Sequence, residues 1–410
     1  MKKLKIKYGF GRELVEYIAI LMIVLSSGSM YFTIMNVQNT LYFLLFVAAV
    51  TAAVCKISAN AFKRNLVVYF VILGCVALNL FINIEYAVLD NNIFILLIRL
   101  TSLLLIQSSV TDKAFIQKYV KILYVLSIIS LISFFYMVLI GYHLPFLIEK
   151  NHNGIDYFYT FYHTVGYRTV YARNAGIFWE APAFAIFITI AFVFMVTRPD
   201  LFPKMKNNIR YYVVFIVTIA TTLSVYAFFY IGIIGLLMLV SSKGLRLKNT
   251  AADYSQKKKK RDRYYIIGFF VMIMVFMLIE NNYHLISYKL IDRQGSYETR
   301  FNDTYYSLIL ASENLITGYG VFNNYTVDWL RMYGVINNSN GLAILLIATG
   351  LPMFLLAVVR VGRSLKQLLN LSGWSFWVVM LLFFLFHFSE HLWLYTLFIG
   401  FLFRYKDRTD

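Results

Sequence analysis

Acidic side chains are scarce in this chain. Asp and Glu number 20 in 410 residues against 38 Lys and Arg, and charged residues make up only 14% of the whole. Cysteine is scarcer still: Cys55 and Cys75 stand alone, each inside an apolar run and in no metal-ligand spacing. A disulfide framework and a cysteine metal site are therefore excluded as organising features, and both thiols read as small buried hydrophobes. No long low-complexity tract and no short soluble-type repeat is present. What fills the chain instead is apolar: 60% of residues are hydrophobic, and the mean hydropathy is +0.67. Several runs reach the length of about 20 residues that crosses a bilayer. This reads as one polytopic, all-α membrane domain over residues 1–410.

The net charge of +18 would suit nucleic acid in a soluble protein. In a membrane protein, excess Lys and Arg instead mark cytoplasmic loops and meet anionic headgroups, so membrane lipid is the expected partner and nucleic acid is not. The basic N-terminus precedes an apolar run with no small-residue cleavage site before it ends, and reads as a retained first helix.

Apolar runs place spans at residues 16–35, 41–57, 66–84, 93–109, 122–142 and 178–197. With the N-terminus inside, the links with Lys56/Lys63/Arg64, Lys113 to Lys121 and Arg198 to Arg210 all fall inside, and the acidic link at 85–90 falls outside. The run at 211–240 has basic flanks on both sides, so it reads as a hairpin turning at Thr221-Thr-Leu-Ser224. The Lys257-Lys-Lys-Lys-Arg261 run marks the inside and contacts headgroups. A span at 265–280, one at 342–359 and a hairpin over 374–403, turning at 387–391, complete about 12 spans with both termini cytoplasmic. Residues 143–175 and 281–338 become two large outer loops.

The first outer loop closes on Arg173-Asn-Ala-Gly176-Ile-Phe178-Trp179-Glu180-Ala-Pro182. If a helix starts near Gly176, its free N–H groups and positive dipole end face outward, where an anion would bind. Arg173 adds a permanent fork-shaped donor, and Gly176 lets a ligand approach the backbone. If both were helical, Arg173 and Glu180 would share a face about 10 Å apart. The same residues also suit a headgroup-level Arg and a Glu favouring a helix N-terminus.

The second loop carries Arg300, Asp303, Gly318-Tyr-Gly320 and Asn337-Asn-Ser339-Asn340. The Asn/Ser cluster suits an N-cap, so a second helix would start at the outer face beside the first. The Gly-x-Gly reads either as a turn or as a phosphate contact. His387-Phe-Ser-Glu390-His391 matches the His-x-x-Glu-His pattern of some zinc peptidases, but it lies at an expected hairpin turn and no metal is expected.

These motifs, in this order, resemble the O-antigen polymerase and ligase superfamily over nearly the whole chain. There an Arg, a Gly, an aromatic pair and a Glu open a helix after an outer loop, as Arg173, Gly176, Phe178, Trp179 and Glu180 do here. Thr222-Leu-Ser224 is similar to the family's helix break. Arg300, Gly318, Gly320, Asn340 and Gly350-Leu-Pro352 follow in the family's order. Three positions depart from it: Ala181 separates Glu180 from Pro182, Val225 stands where an Arg is usual, and Ser339 stands where ligases carry a His.

The resemblance implies a GT-C-like membrane glycosyltransferase. It would polymerise polyprenyl-diphosphate-linked oligosaccharide repeats into O-antigen, capsular or exopolysaccharide chains at the outer side of a bacterial cytoplasmic membrane. Arg173, Glu180 and Arg300 would be catalytic, and Gly176, Trp179, Asp303, Gly318, Gly320, Ser339 and Asn340 would bind substrate. No cofactor is implied, and chain-length regulator and flippase proteins are the implied partners. An O-antigen ligase and a polysaccharide flippase or secondary transporter are the alternatives.

Overall fold

The computed structural model describes residues 2–33, 35, 37–86, 88, 91–140, 144–152, 155–166, 173–202, 209–246, 294–323, 325–335, 338 and 340–405. It is mostly helical. Among the described residues, five helices are long and apolar enough to cross a membrane: α3 (Gln38–Lys56), α4 (Ala59–Ile82), α5 (Asn91–Ser109), α6 (Asp112–Ile140) and α12 (Gly341–Leu368). Shorter apolar helices are α7 (Ala181–Thr197), α8 (Ile209–Thr221), the apolar part of α9 (Val225–Arg246) and α13 (Trp374–Ser389). The remaining helices are α1 (Lys2–Leu25), α2 (Met30–Thr33), α10 (Gln294–Glu313), α11 (Tyr325–Met332) and α14 (Thr396–Gly400).

Two helices with long apolar runs end up in opposite surroundings. α7 is apolar on every side and buried from Ala181 to Met195, packed by α6, α8, α9 and α13, so it is the central post of the bundle. α4 carries Lys63, Arg64 and three Asn beside a long apolar run, and in that run Val67, Phe70 and Phe81 are exposed. A soluble protein does not leave such a belt open to water, whereas lipid accepts it. Cys55, near the end of α3, is exposed and Cys75 of α4 is half-buried, contrary to their expected burial.

The structure corrects the expected boundaries in several places. The first helix ends at Leu25, and Ser26–Ser29 form a buried break before α2, so the span at 16–35 is interrupted. The segment expected as the first outer loop holds a three-stranded antiparallel sheet, β1 (Ile148–His152), β2 (Ile155–Tyr159) and β3 (Thr164–Gly166), with Ile148 opposite Tyr159 and Phe158 opposite Gly166. The segment expected as the second contains α10 and α11, with α10 packed along α12.

The break expected at 221–224 is present between α8 and α9, with Leu223 at φ +50°. The return leg after α13 is not a second long helix. It is a 3-10 turn (Leu392–Leu394), the five-residue α14 and an irregular stretch to Tyr405. Buried backbone without a helix needs other partners. Side chains supply them: Ser27 accepts from the Leu397 N–H (2.8 Å), and Gln107, Arg360 and Ser364 donate to the carbonyls of Gly400, Leu402 and Phe403.

The predicted span at 265–280, the basic run at 257–261, Asn337 and Ser339 lie outside the described residues.

Candidate functional site

The stretch leading into α7 is irregular rather than helical, with a turn at Gly176–Ile177. α7 begins at Ala181, not near Gly176, with Glu180 as N-cap at φ −142° and ψ 156° and Pro182 in the first turn. A proline fits there because its missing N–H would be unpaired anyway. The shared helical face expected for Arg173 and Glu180 therefore does not exist. Each residue is placed by its own tertiary contacts.

Arg173 is anchored to the α8/α9 break, where its Nε donates to the Thr222 carbonyl (3.1 Å). Asn174, fully buried, fastens the same junction. Its N–H donates to the Thr221 carbonyl (3.1 Å), its Nδ2 to Thr221 Oγ1 (3.0 Å), and its Oδ1 accepts from the Gly176 N–H (3.2 Å). Gly176 has φ +53°, and a Cβ there would meet the Phe184 ring at 2.8 Å. Its glycine character thus serves a turn packed on an aromatic ring, not the ligand approach expected of it.

The neighbouring residues lock onto the α1/α2 break. Met30 N–H donates to the Ile177 carbonyl (2.8 Å) and Trp179 N–H to the Gly28 carbonyl (3.3 Å). The Trp179 indole Nε1 donates to the Tyr395 hydroxyl (3.0 Å), and Gly28, at φ +90°, leaves room for that tyrosine ring. Glu180 and Glu390 are both near enough to act electrostatically on Tyr395. Glu180 does not cap its own helix with its side chain.

The start of α12 closes on the same segment. A Cβ on Gly341 would lie 2.9 Å from the Glu390 carbonyl and 3.3 Å from the Leu392 nitrogen. Asn340 is the expected N-cap: its Oδ1 accepts from the Ala343 N–H (3.1 Å), and its Nδ2 donates to Thr304 on α10 (3.1 Å). Asn338 accepts from the Asn340 N–H and bonds Ser307. Asp303 is buried one turn before Ser307 on this helix. Arg300 lies one turn before Asp303 in α10, and its side chain is outside the described residues. The starts of α7 and α12 are thus joined through residues 390–395, with the Asp303 end of α10 docked on the second.

Gly318 and Gly320 stand elsewhere, at a break inside α12. Gly350 has φ +71° and ψ 169°, and Pro352 lacks an N–H, so the helical ladder loses donors to the carbonyls of Ile347 and Ala348. The loop replaces them: Tyr319 N–H donates to Ile347 O (2.8 Å), Gly320 N–H to Ala348 O (3.0 Å), and Leu351 N–H to Leu315 O (2.7 Å). Buried Asn79 of α4 completes the joint. Its Nδ2 reaches Thr317 O (3.0 Å) and Ala348 O (3.2 Å), and its Oδ1 accepts from Val321 N–H (2.9 Å). The glycines permit backbone-to-backbone contact here; a Cβ on Gly318 would sit 2.6 Å from the Gly350 nitrogen. Their N–H groups face carbonyls, Asn314 O and Ala348 O, which matches the turn of the two readings given for this Gly-x-Gly.

No family model, curated protein or solved structure matches the chain.

Three further groups have defined surroundings. His163, at the β2–β3 turn, is fully buried with neither ring nitrogen hydrogen-bonded, and burial lowers its pKa to about 3, so it stays neutral. Tyr319 donates to Glu313 (2.9 Å); burial, then that carboxylate, pushes its pKa up. His387 points Nδ1 at the Phe383 carbonyl (2.8 Å) and packs among the Phe383, Trp393 and Phe398 rings. Among the described residues no group of three His, Cys, Asp or Glu gathers in a way that could hold a metal ion.

Reading the sequence singled out Trp179, Glu180, Asp303 and Asn340, but missed Tyr395, Asn174, Gly28 and Asn79. Asn174 was legible in principle, lying between Arg173 and Gly176. Tyr395 carried no local signal, being one of 32 tyrosines.

Proposed function

We propose that the protein is a polysaccharide repeat-unit polymerase that works on polyprenyl-diphosphate-linked oligosaccharides at the outer face of a bacterial cytoplasmic membrane. The observation that carries this reading is the meeting of two helix starts, at Glu180–Ala181 and Asn340–Gly341, around Glu390 and Tyr395. It gathers carboxylates, an indole and a phenol beside the positive ends of two helices. That is the chemistry of a site handling sugars joined to a diphosphate.

In the reaction, the acceptor sugar hydroxyl attacks the anomeric carbon of the lipid-linked donor chain. A new carbon–oxygen bond forms, and the bond to the diphosphate oxygen breaks. The hydroxyl proton passes to a carboxylate, and the polyprenyl diphosphate leaves with the negative charge. Arg173 and Arg300 are assigned to that departing charge, and Glu180 to the acceptor proton. Trp179 offers a stacking face. Ser339, where ligases carry a His, favours a polymerase over a ligase.

A transporter would use the break in α12 to present open carbonyls to an ion or substrate. Here Tyr319, Gly320 and Asn79 take those carbonyls, which favours the enzyme.

The test replaces Arg173, Glu180 and Arg300 singly with Ala in the source cell and compares surface polysaccharide length at matched protein levels. Loss of long chains supports the assignment, and long chains in all three variants would overturn it. Deletion of the gene that leaves long polymer unattached to lipid would identify a ligase.

A further inference from the structure

A second charged centre lies at the other end of α12, away from the site above. Arg360 donates from Nε to the Leu402 carbonyl (2.8 Å), and Arg64, near the start of α4, donates to the Tyr405 carbonyl (3.1 Å). Arg404 stands between those two positions, its backbone held by Asn65, whose Oδ1 accepts from the Arg404 N–H (3.1 Å) and whose Nδ2 donates to the Arg404 carbonyl (2.8 Å). Arg363 lies one turn further along α12. Arg404, Arg363 and Arg64 are all close enough to Arg360 to act on its charge, and among the described residues no carboxylate does so. Arg360 Nη2 is buried without a hydrogen-bond partner. A guanidinium does not discharge by losing a proton, so the unpartnered Arg360 Nη2, set among three further arginines, calls for an anion.

The surroundings say which anion. α4 and α12 are joined at two levels, at Asn79–Ala348 and at this arginine cluster. The levels are about 22 Å apart along α4 and about 18 Å along α12, close to the thickness of one bilayer leaflet, about 15 Å of hydrocarbon. Between them α4 exposes Val67, Phe70 and Val71, and α12 exposes Leu355, Leu356 and Val359. We infer that Arg64, Arg360, Arg363 and Arg404 bind the phosphate of one anionic phospholipid whose acyl chains run along the exposed faces of α4 and α12. This does not depend on the polymerase reading.

The test uses the purified full chain in detergent with equimolar phosphatidylglycerol and phosphatidylcholine, and reads lipid retained by native mass spectrometry. Wild type is expected to retain phosphatidylglycerol preferentially. The Arg64→Gln/Arg360→Gln double variant should lose about 30-fold of that preference, on the scale of about fivefold per basic side chain at a headgroup. Because both residues also hold the 402–405 segment, Arg363→Gln is run beside it. Arg363 is exposed, and its loss should lower the preference about fivefold with an unchanged thermal midpoint. Equal retention of the two lipids by wild type would overturn the proposal. So would an equal rise in thermal midpoint with pyrophosphate alone, which would point to a soluble anion.

Discussion

Replacing Gly350 with Ala tests the account of the α12 break. Gly350 occupies φ +71° and ψ 169°, a region costing a residue with a Cβ about 1–3 kcal/mol. The added Cβ would also lie 2.3 Å from the Ile316 carbonyl oxygen and 2.9 Å from the Gly318 nitrogen. Neither neighbour is the end of a flexible side chain, so the 315–320 loop must move away. That movement breaks the bonds from Tyr319, Gly320 and Leu351 across the joint, each a net contribution of about 0.5–1.5 kcal/mol. The expected loss is about 3–7 kcal/mol in total. The control is Gly334→Ala, where φ is +79° but nothing lies within 4 Å of the added carbon. That variant carries the backbone penalty alone, about 1 kcal/mol. Denaturant unfolding in detergent, followed by tryptophan fluorescence, measures both. If Gly350→Ala destabilises no more than Gly334→Ala, the loop does not serve as the substitute for the broken ladder, and the structural role given to Gly318 and Gly320 falls with it.

Other expectations follow from single contacts. His163 has a folded pKa lowered to about 3 by burial, against 6.5 when unfolded, so its contribution is intact above pH 6.5 and is lost as pH falls toward 3. At pH 5 the loss should be about 2 kcal/mol; His163→Phe should flatten the fall in thermal midpoint between pH 7 and 5, and an unchanged profile would refute the burial argument. Trp179→Phe and Tyr395→Phe should show a coupling of about 1 kcal/mol in a double-mutant cycle of unfolding, with additivity counting against their hydrogen bond. Glu16 pairs with Lys118 (3.1 Å) and Arg12 (3.1 Å), and the Glu16 and Lys118 side chains are each 10% exposed. Glu16→Gln should cost about 3 kcal/mol, while Glu16→Met with Lys118→Met should cost less than that single change, as read by unfolding midpoints.

Particular elements show what could be read before folding. Asn340 was legible as a cap, because capping is decided by a side chain and the N–H three residues on. The break at Thr222–Ser224 was legible because basic flanks and run length demanded a reversal. The start of α7 was misplaced by five residues: Gly176 looked like a helix opening, and only the packing of Phe184 shows it to be a turn. The β1–β2 hairpin was overlooked, although Asn153-Gly154 directly precedes the aromatic run Ile155–Tyr159; β1 itself, Ile148–His152, is mostly polar and gives no strand signal. The missing second helix after α13 had no local sign. Its residues are as apolar as any span, and its backbone is satisfied by side chains as distant in the chain as Ser27 and Gln107.

By itself, then, the sequence determined the membrane-spanning class, the mostly helical character and the sites where helices cap or break. These depend on transfer of apolar runs out of water and on φ/ψ limits within a few residues, both local properties. The tertiary structure alone decided which break meets which: residues 26–29 with 177–179 and 395–397, residues 315–321 with 347–351 and Asn79, and Gly341 with Glu390. Each is a backbone group needing a partner where water is excluded. That need can be read locally, whereas the partner, often hundreds of residues away, is chosen only when the helices pack.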